Sequence, residues 1–343
     1  MATALGTAAT GLSWIRADDS TIPRWFARAD EYRRRAPKAG GPPGSRELVE
    51  GSAAFLCGKW RRARELSNQA ESLLEHSPGR TMELVFARVL GTWPLYHLGE
   101  IRAFVDRSII LAREARARGD LFTLNAVVNG PGALVHLTRD DAATAEREAK
   151  DTLAAWPGTG FEQPHYWHML AVTYIRLYSG ESKRLHDAIE KDWPRLRRAG
   201  HLHSPVAGGF ALQARSGACL ARATATAKGH ERDMLLRAAE RHARSVAHRD
   251  VVGFAECAML LEAGVAKVRG DDSLALERLA TALDGFERAE MSFFAAATKH
   301  RLGTLRGGDD GKALAAEAVS FLTGEGVAKP RQFLAIVSPG FVD

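Results

Sequence analysis

The sequence predicts an all-α fold, a superhelical array of antiparallel helix pairs with a repeat of about forty residues. Three observations predict it. A glycine-centred punctuation recurs along the chain. The segments between carry helical periodicity. The composition is rich in Ala, Leu, Arg and Glu, with few β-branched runs, which favours helix over strand.

The punctuation is an apolar or aromatic residue, a glycine, and a polar residue opening the next helix. It occurs at Leu56-Cys57-Gly58-Lys59, Leu98-Gly99-Glu100, Ser179-Gly180-Glu181, Arg269-Gly270-Asp271 and Gly307-Gly308-Asp309. The interval from Gly58 to Gly99 sets the period, and Gly270 to Gly308 nearly repeats it. Gly99 to Gly180 covers two periods and places a glycine-free turn at His136–Asp141. Gly180 to Gly270 is somewhat longer than two periods, with a turn expected near Lys228-Gly229-His230, so this unit is the least regular. A helix that stops and reverses needs a left-handed residue to partner its last carbonyls, and glycine takes that conformation without steric cost. The acidic residue that often follows suits the free N–H groups of the next helix.

The elements follow in order. A leading helical region is expected over 1–35. Pro37-Lys38-Ala39-Gly40-Gly41-Pro42-Pro43-Gly44 cannot continue a helix and reads as a loop, so residues 1–44 form a leading segment and 45–343 the repeat domain. Helix pairs fill 46–76, 81–118, 120–156, 163–199, 205–249, 251–290 and 291–323. Met82, Val85, Phe86, Val89, Trp93 and Tyr96 fall on one stripe of a first helix. Ile101, Phe104, Val105, Ser108, Ala112 and Ala115 do so on the helix after it, while Arg102, Arg107, Arg113 and Arg116 face elsewhere. Each pair alone would leave an apolar face in water, and stacking pairs buries it.

The net charge is +6, from 47 Lys and Arg against 41 Asp and Glu. Both signs are interleaved along helix faces, which reads as solvated surface and disfavours a nucleic-acid footprint. Cys57, Cys219 and Cys257 form no CxxC and read as buried thiols, which fits a reducing cytoplasm. No signal-peptide pattern opens the chain, and no stretch approaches the ~18–20 apolar residues of a membrane span.

Candidate binding residues lie on the first helices. Trp93, Tyr96, Tyr166 and Trp167 could form an aromatic stripe on a concave face, or belong to the core. Asn125 and Asn129 precede Gly130-Pro131, which should interrupt a helix and either open a pocket or only curve the array. His165 and His168 stand i,i+3, but no third ligand is evident, so no metal is expected and no cofactor. His201 and His203 flank a turn and read as solvated.

The punctuated pairs resemble tetratricopeptide arrays, with a longer unit than the usual one of about 34 residues. A closer resemblance rests on Trp93-Pro94-Leu95-Tyr96-His97-Leu98-Gly99-Glu100, Ala112 to Leu121, His165-Tyr166-Trp167, Asp192-Trp193-Pro194-Arg195-Leu196, Met291 to Gly311 and the closing Ser338-Pro339-Gly340-Phe341. Over roughly residues 45–343 these look like the C-terminal helical-repeat region of large bacterial serine/threonine protein kinases. The kinase machinery itself is absent. His248-Arg249-Asp250 matches a catalytic-loop triplet, but Ala255 stands where the metal-binding Asn is expected. Gly307 to Lys312 lacks the first P-loop glycine, replaced by Arg306, and Ala313 replaces the Ser or Thr. The resemblance therefore implies a non-enzymatic, kinase-associated regulatory module. Its partner would be a protein, either a peptide or a kinase or ATPase module in cis or in trans. The alternative is a small-ligand sensor holding a metabolite or peptide in the concave groove.

Overall fold

The computed structural model describes residues 43–341, together with Ala27, Glu31 and Arg35. The expected leading helix and most of the Pro/Gly loop lie outside the described residues. Among the described residues the fold is all-α, with sixteen α-helices, two short 3₁₀ turns and no strand.

The helices come in adjacent pairs. They are α1 (Ser45–Leu56) and α2 (Trp60–Leu74), then α3 (Thr81–Leu98) and α4 (Ile101–Arg118). The third pair has a broken first member: α5 (Leu121–Val128), a 3₁₀ turn at Gly130–Ala133 and α6 (Leu134–Leu137), followed by α7 (Ala142–Ala154). Next come α8 (Gln163–Tyr178) and α9 (Ser182–Arg198), then α10 (Pro205–Thr224) and α11 (His230–Ala247). The last pairs are α12 (Phe254–Arg269) with α13 (Asp272–Arg288) and α14 (Ser292–Arg306) with α15 (Gly308–Gly324), before a terminal α16 (Pro330–Leu334).

The turns explain the pairing. Lys59, Glu100, Asp141, Glu181 and Asp271 each donate their N–H to a carbonyl five residues back, at 2.9–3.0 Å. The residue before each donor is left-handed: Gly58, Gly99, Gly180 and Gly270, with Asp140 (φ 61°) at the turn that lacks a glycine. One turn chemistry thus closes five pairs. Gly307-Gly308 departs from it, because Gly307 donates four residues back to Gly303. Asp120, Asp141 and Asp271 accept from N–H groups in the first turn of the following helix. Glu100 and Glu181 do not; their side chains turn to Arg64, and to Arg176 and Arg184, instead.

Two layers result. First helices are apolar nearly all round and sit inside: Gly91–Leu98 on α3 and Pro205–Leu212 on α10 are buried without interruption. Second helices bury one stripe only, as Leu185, Ile189, Trp193 and Leu196 do on α9. The α3 stripe is shorter than its sequence pattern, since Met82 and Phe86 at its start are exposed. All three cysteines are buried and free.

Helix pairs distant in sequence also touch, which stacking of neighbours alone does not require. The Val252 N–H donates to the Cys57 carbonyl at 3.1 Å, and Arg61 pairs with Glu290 at 2.6 Å. The Arg102 guanidinium donates to the Gly324 carbonyl at 2.6 Å, and the Ala328 N–H donates to the Thr138 carbonyl at 2.8 Å. Behind these turns the interior is aromatic. The His97 ring stacks on Trp60 at 3.8 Å and 9°, with Phe210 at 5.4 Å and Phe294 at 6.0 Å. Side chains from α2, α3, α10 and α14 therefore meet in one place. Among the described residues no helix is long and apolar enough to cross a membrane.

Burial pushes the His97 imidazole down to about 3, from an ordinary 6.5, and His242 down to about 4. Below pH 6.5 the unfolded chain takes up protons that these rings refuse in the fold. Stability is then lost as pH falls from 6.5 towards 3, by about 1.4 kcal/mol per pH unit for a fully buried ring. Denaturant midpoints measured between about pH 7.5 and 5 should fall accordingly. His97→Phe keeps a stacking ring without a proton site and should flatten the profile; an unchanged slope would contradict this placement of His97.

Candidate functional site

The inner layer carries an occupant supplied by the chain itself. After α15 the chain crosses the turns that close the third and fourth pairs. Lys329 pairs with Asp140 at 2.6 Å, and the Gln332 side chain donates to the Tyr178 carbonyl at 2.9 Å. The Phe333 ring then packs on Phe293 at 5.3 Å, and residues 336–340 run buried along α8, α10, α12 and α14.

Specific features seat this segment. Arg301, 1% exposed, donates from Nε to the Ser338 hydroxyl at 3.0 Å and lies over the Phe341 ring at 5.5 Å. Ser338 donates back to the Leu334 carbonyl at 2.9 Å. Gly264 of α12 makes room for the turn: a Cβ there would stand 2.4 Å from the Pro339 carbonyl oxygen. Gly340, at φ +94°, presses against the Gly264 backbone. A residual cavity of about 30 Å³ remains beside the tail, between Tyr96, Tyr174, Phe210 and Val337.

Of the seven residues singled out from sequence only Tyr96 lines the cavity beside the tail, and all but His165 are buried. Trp93 Nε1–H donates to the Ala126 carbonyl at 3.0 Å, and its ring meets Trp167 edge-on at 5.8 Å. The Tyr96 and Tyr174 rings lie 6.0 Å apart, and burial pushes Tyr174 up to about 12. Tyr166 donates to the Ala207 carbonyl at 2.9 Å. Burial also holds the phenols of Tyr96 and Tyr166 well above the ordinary tyrosine range, so all three stay protonated donors at neutral pH. These rings bind the inner helices to one another, so they form no open aromatic stripe.

Asn125 and Asn129 belong to a buried chain of hydrogen bonds. Asn125 Nδ2 donates to the Leu121 carbonyl at 2.9 Å and the Thr152 carbonyl at 3.3 Å. Asn129 Nδ2 donates to Asn125 Oδ1 at 3.1 Å and the Ala149 carbonyl at 3.4 Å. His168 Nδ1 stands 3.0 Å from Asn129 Oδ1, a contact that requires its proton there. His165 turns away: its Nδ1 accepts from the Glu162 N–H at 3.2 Å in a capping box. The two histidines share no ligand position, and among the described residues no cluster of three or more His, Cys, Asp or Glu is placed to hold a metal. His201, expected in solvent, instead stacks on Tyr166 at 5.0 Å, and burial lowers its pKa.

The helix interruption at Gly130-Pro131 is present, and a cavity of about 290 Å³ does open beside it. It lies between α4 and α7, lined by Ser108, Val128, Val135 and Glu148, away from Asn129 and His165. His248-Arg249-Asp250 closes α11, where Arg249 donates to the Leu202 carbonyl at 3.0 Å and Asp250 is exposed. Gly307 to Lys312 forms the largely exposed start of α15.

Sequence reasoning missed Gly264 and Arg301. Both carried a signal: glycine in mid-helix costs about 1 kcal/mol against alanine, and a buried arginine needs partners. No protein-family model matches the chain, and neither does a curated protein or a solved structure.

Gly264→Ala would place a methyl group against the Pro339 carbonyl. The amides of residues 336–341 should then exchange hydrogen at least tenfold faster, while those of α10 keep their protection. An unchanged tail in hydrogen-exchange mass spectrometry would contradict the seat described.

Proposed function

We propose that this chain is a non-catalytic, tetratricopeptide-like helical-repeat module that binds short segments of protein partners. One observation carries the reading: the inner layer already holds a short non-repeat segment, residues 336–341, by shape, apolar burial and the Arg301–Ser338 bond. The paired helices support the solenoid part of the reading. The resemblance of residues 45–343 to kinase-associated repeats supports the setting, a regulatory module acting beside a bacterial serine/threonine kinase in cis or in trans. The tail then stands where a partner segment would lie, and the partner competes with it. A cytoplasmic location follows from that setting.

A peptide selection tests this. Val337→Asp puts an unpaired carboxylate into an apolar interior, which should expel the tail while leaving the inner wall intact. A random peptide library selected against the full-length Val337→Asp chain should converge on an apolar–small–Pro–Gly–aromatic order. Those peptides should be displaced by a synthetic peptide of residues 334–341. Recovery of unrelated sequences, or no competition, would overturn the reading.

A further inference from the structure

The break at Asn129–Ala133 has a consequence between α4 and α7. Ser67 on α2 and Ser108 on α4 occupy equivalent places, each nine residues after a turn glycine, Gly58 or Gly99. Ser67 is packed tightly: its hydroxyl would lie 3.0 Å from a Cβ built on Gly51 of α1, and its Cβ 3.5 Å from one built on Gly91 of α3. At Ser108 the following helix stops at Val128, and the cavity of about 290 Å³ fills the gap.

The cavity has an apolar body and a cationic rim. Ile109, Ala112, Val127, Val128, Val135 and Ala145 form its walls. The Ser108 hydroxyl, 1% exposed, lines it without a hydrogen-bond partner. At the rim, one Glu148 oxygen is shared by Arg116 at 3.1 Å and His136 at 3.3 Å. Arg139, also lining the cavity, is exposed, and no carboxylate pairs with it among the described residues. Arg116 and Arg139 stand against the single carboxylate of Glu148, so the rim carries one positive charge beyond its internal pair. At roughly 30 Å³ per water the space holds about ten non-hydrogen atoms.

We infer that this cavity is a small-ligand site for a short aliphatic carboxylate bearing a second oxygen, a hydroxy or keto acid of about six carbons. The carboxylate meets Arg139 beside the Arg116–Glu148 pair, the hydrocarbon lies on the valine and isoleucine walls, and the second oxygen partners Ser108. Apolar walls with a few convergent polar groups are the usual make-up of such sites. An alkyl ammonium of equal length fits the walls but opposes the rim charge. The site is independent of the tail-binding inner layer and stands whether or not that layer binds peptides.

Saturation-transfer NMR titrations on the full chain test this with 6-hydroxyhexanoate, hexanoate and hexylamine. Both acids should bind saturably, the hydroxy acid about fivefold tighter, and the amine at least tenfold more weakly than either. Ser108→Ala should remove the preference for the hydroxy acid and leave hexanoate binding intact. Arg139→Gln, a change of an exposed side chain, should weaken both acids about tenfold. Ala112→Phe should fill the cavity and abolish binding. No saturable binding of either acid at millimolar concentrations would overturn the inference, as would equal binding of the amine or indifference to Arg139→Gln.

Discussion

The structure depends on the meeting of Trp60, His97, Phe210 and Phe294 in its interior. These rings come from α2, α3, α10 and α14, elements drawn from the first half of the array and from its last pairs. Turn chemistry alone makes helix pairs, and pairs can stack without end. Only contacts between helices distant in sequence decide where the stack folds back on itself. A neutral histidine suits this place because its flat ring stacks on tryptophan and phenylalanine, although Nδ1 is left without a hydrogen bond. Its refusal of a proton is the electrostatic mark of that burial.

Closure also explains the tail. Once first helices pack across the interior, little space remains along the axis, and residues 336–340 fill most of it. The seat needs a helix without a side chain at Gly264 and a cation at Arg301 that can reach a hydroxyl. The outer helices are under no such constraint. Their single buried stripes leave the rest of each surface to charged residues, such as Lys183 and Asp187 on α9, paired at 2.9 Å.

Local structure was legible in the sequence because its causes are local. The left-handed turn residue, the acidic cap and the helical stripe each act within a few positions. Even the glycine-free turn at His136–Asp141 followed from spacing, with Asp140 taking the left-handed conformation. The aromatic stripe on α3 and α8 was visible too, but periodicity does not say which side of a buried helix faces an open groove. Trp93, Tyr166 and Trp167 are core because neighbouring pairs cover them, and Tyr96 because α14, far away in sequence, does. Asn125 and Asn129 were candidates because they precede the interruption at Gly130-Pro131, which could open a pocket, yet their amides are taken up by protein partners. Those partners, the carbonyls of Ala149 and Thr152 and the ring of His168, come from other helices. The break after Val128 was readable from Gly130-Pro131; the cavity beside it depends on how α4 and α7 flank the gap.

Hydrogen exchange on a Phe294→Ala variant tests closure most directly. Losing this ring should cost about 3–5 kcal/mol. If the interior cluster joins distant pairs, protection should fall in α2, α3 and α10 as well as in α14 and its neighbours α13 and α15. Loss confined to α13–α15, with α2 and α3 as protected as before, would show a chain whose repeats answer only to their neighbours, and would contradict the closed interior.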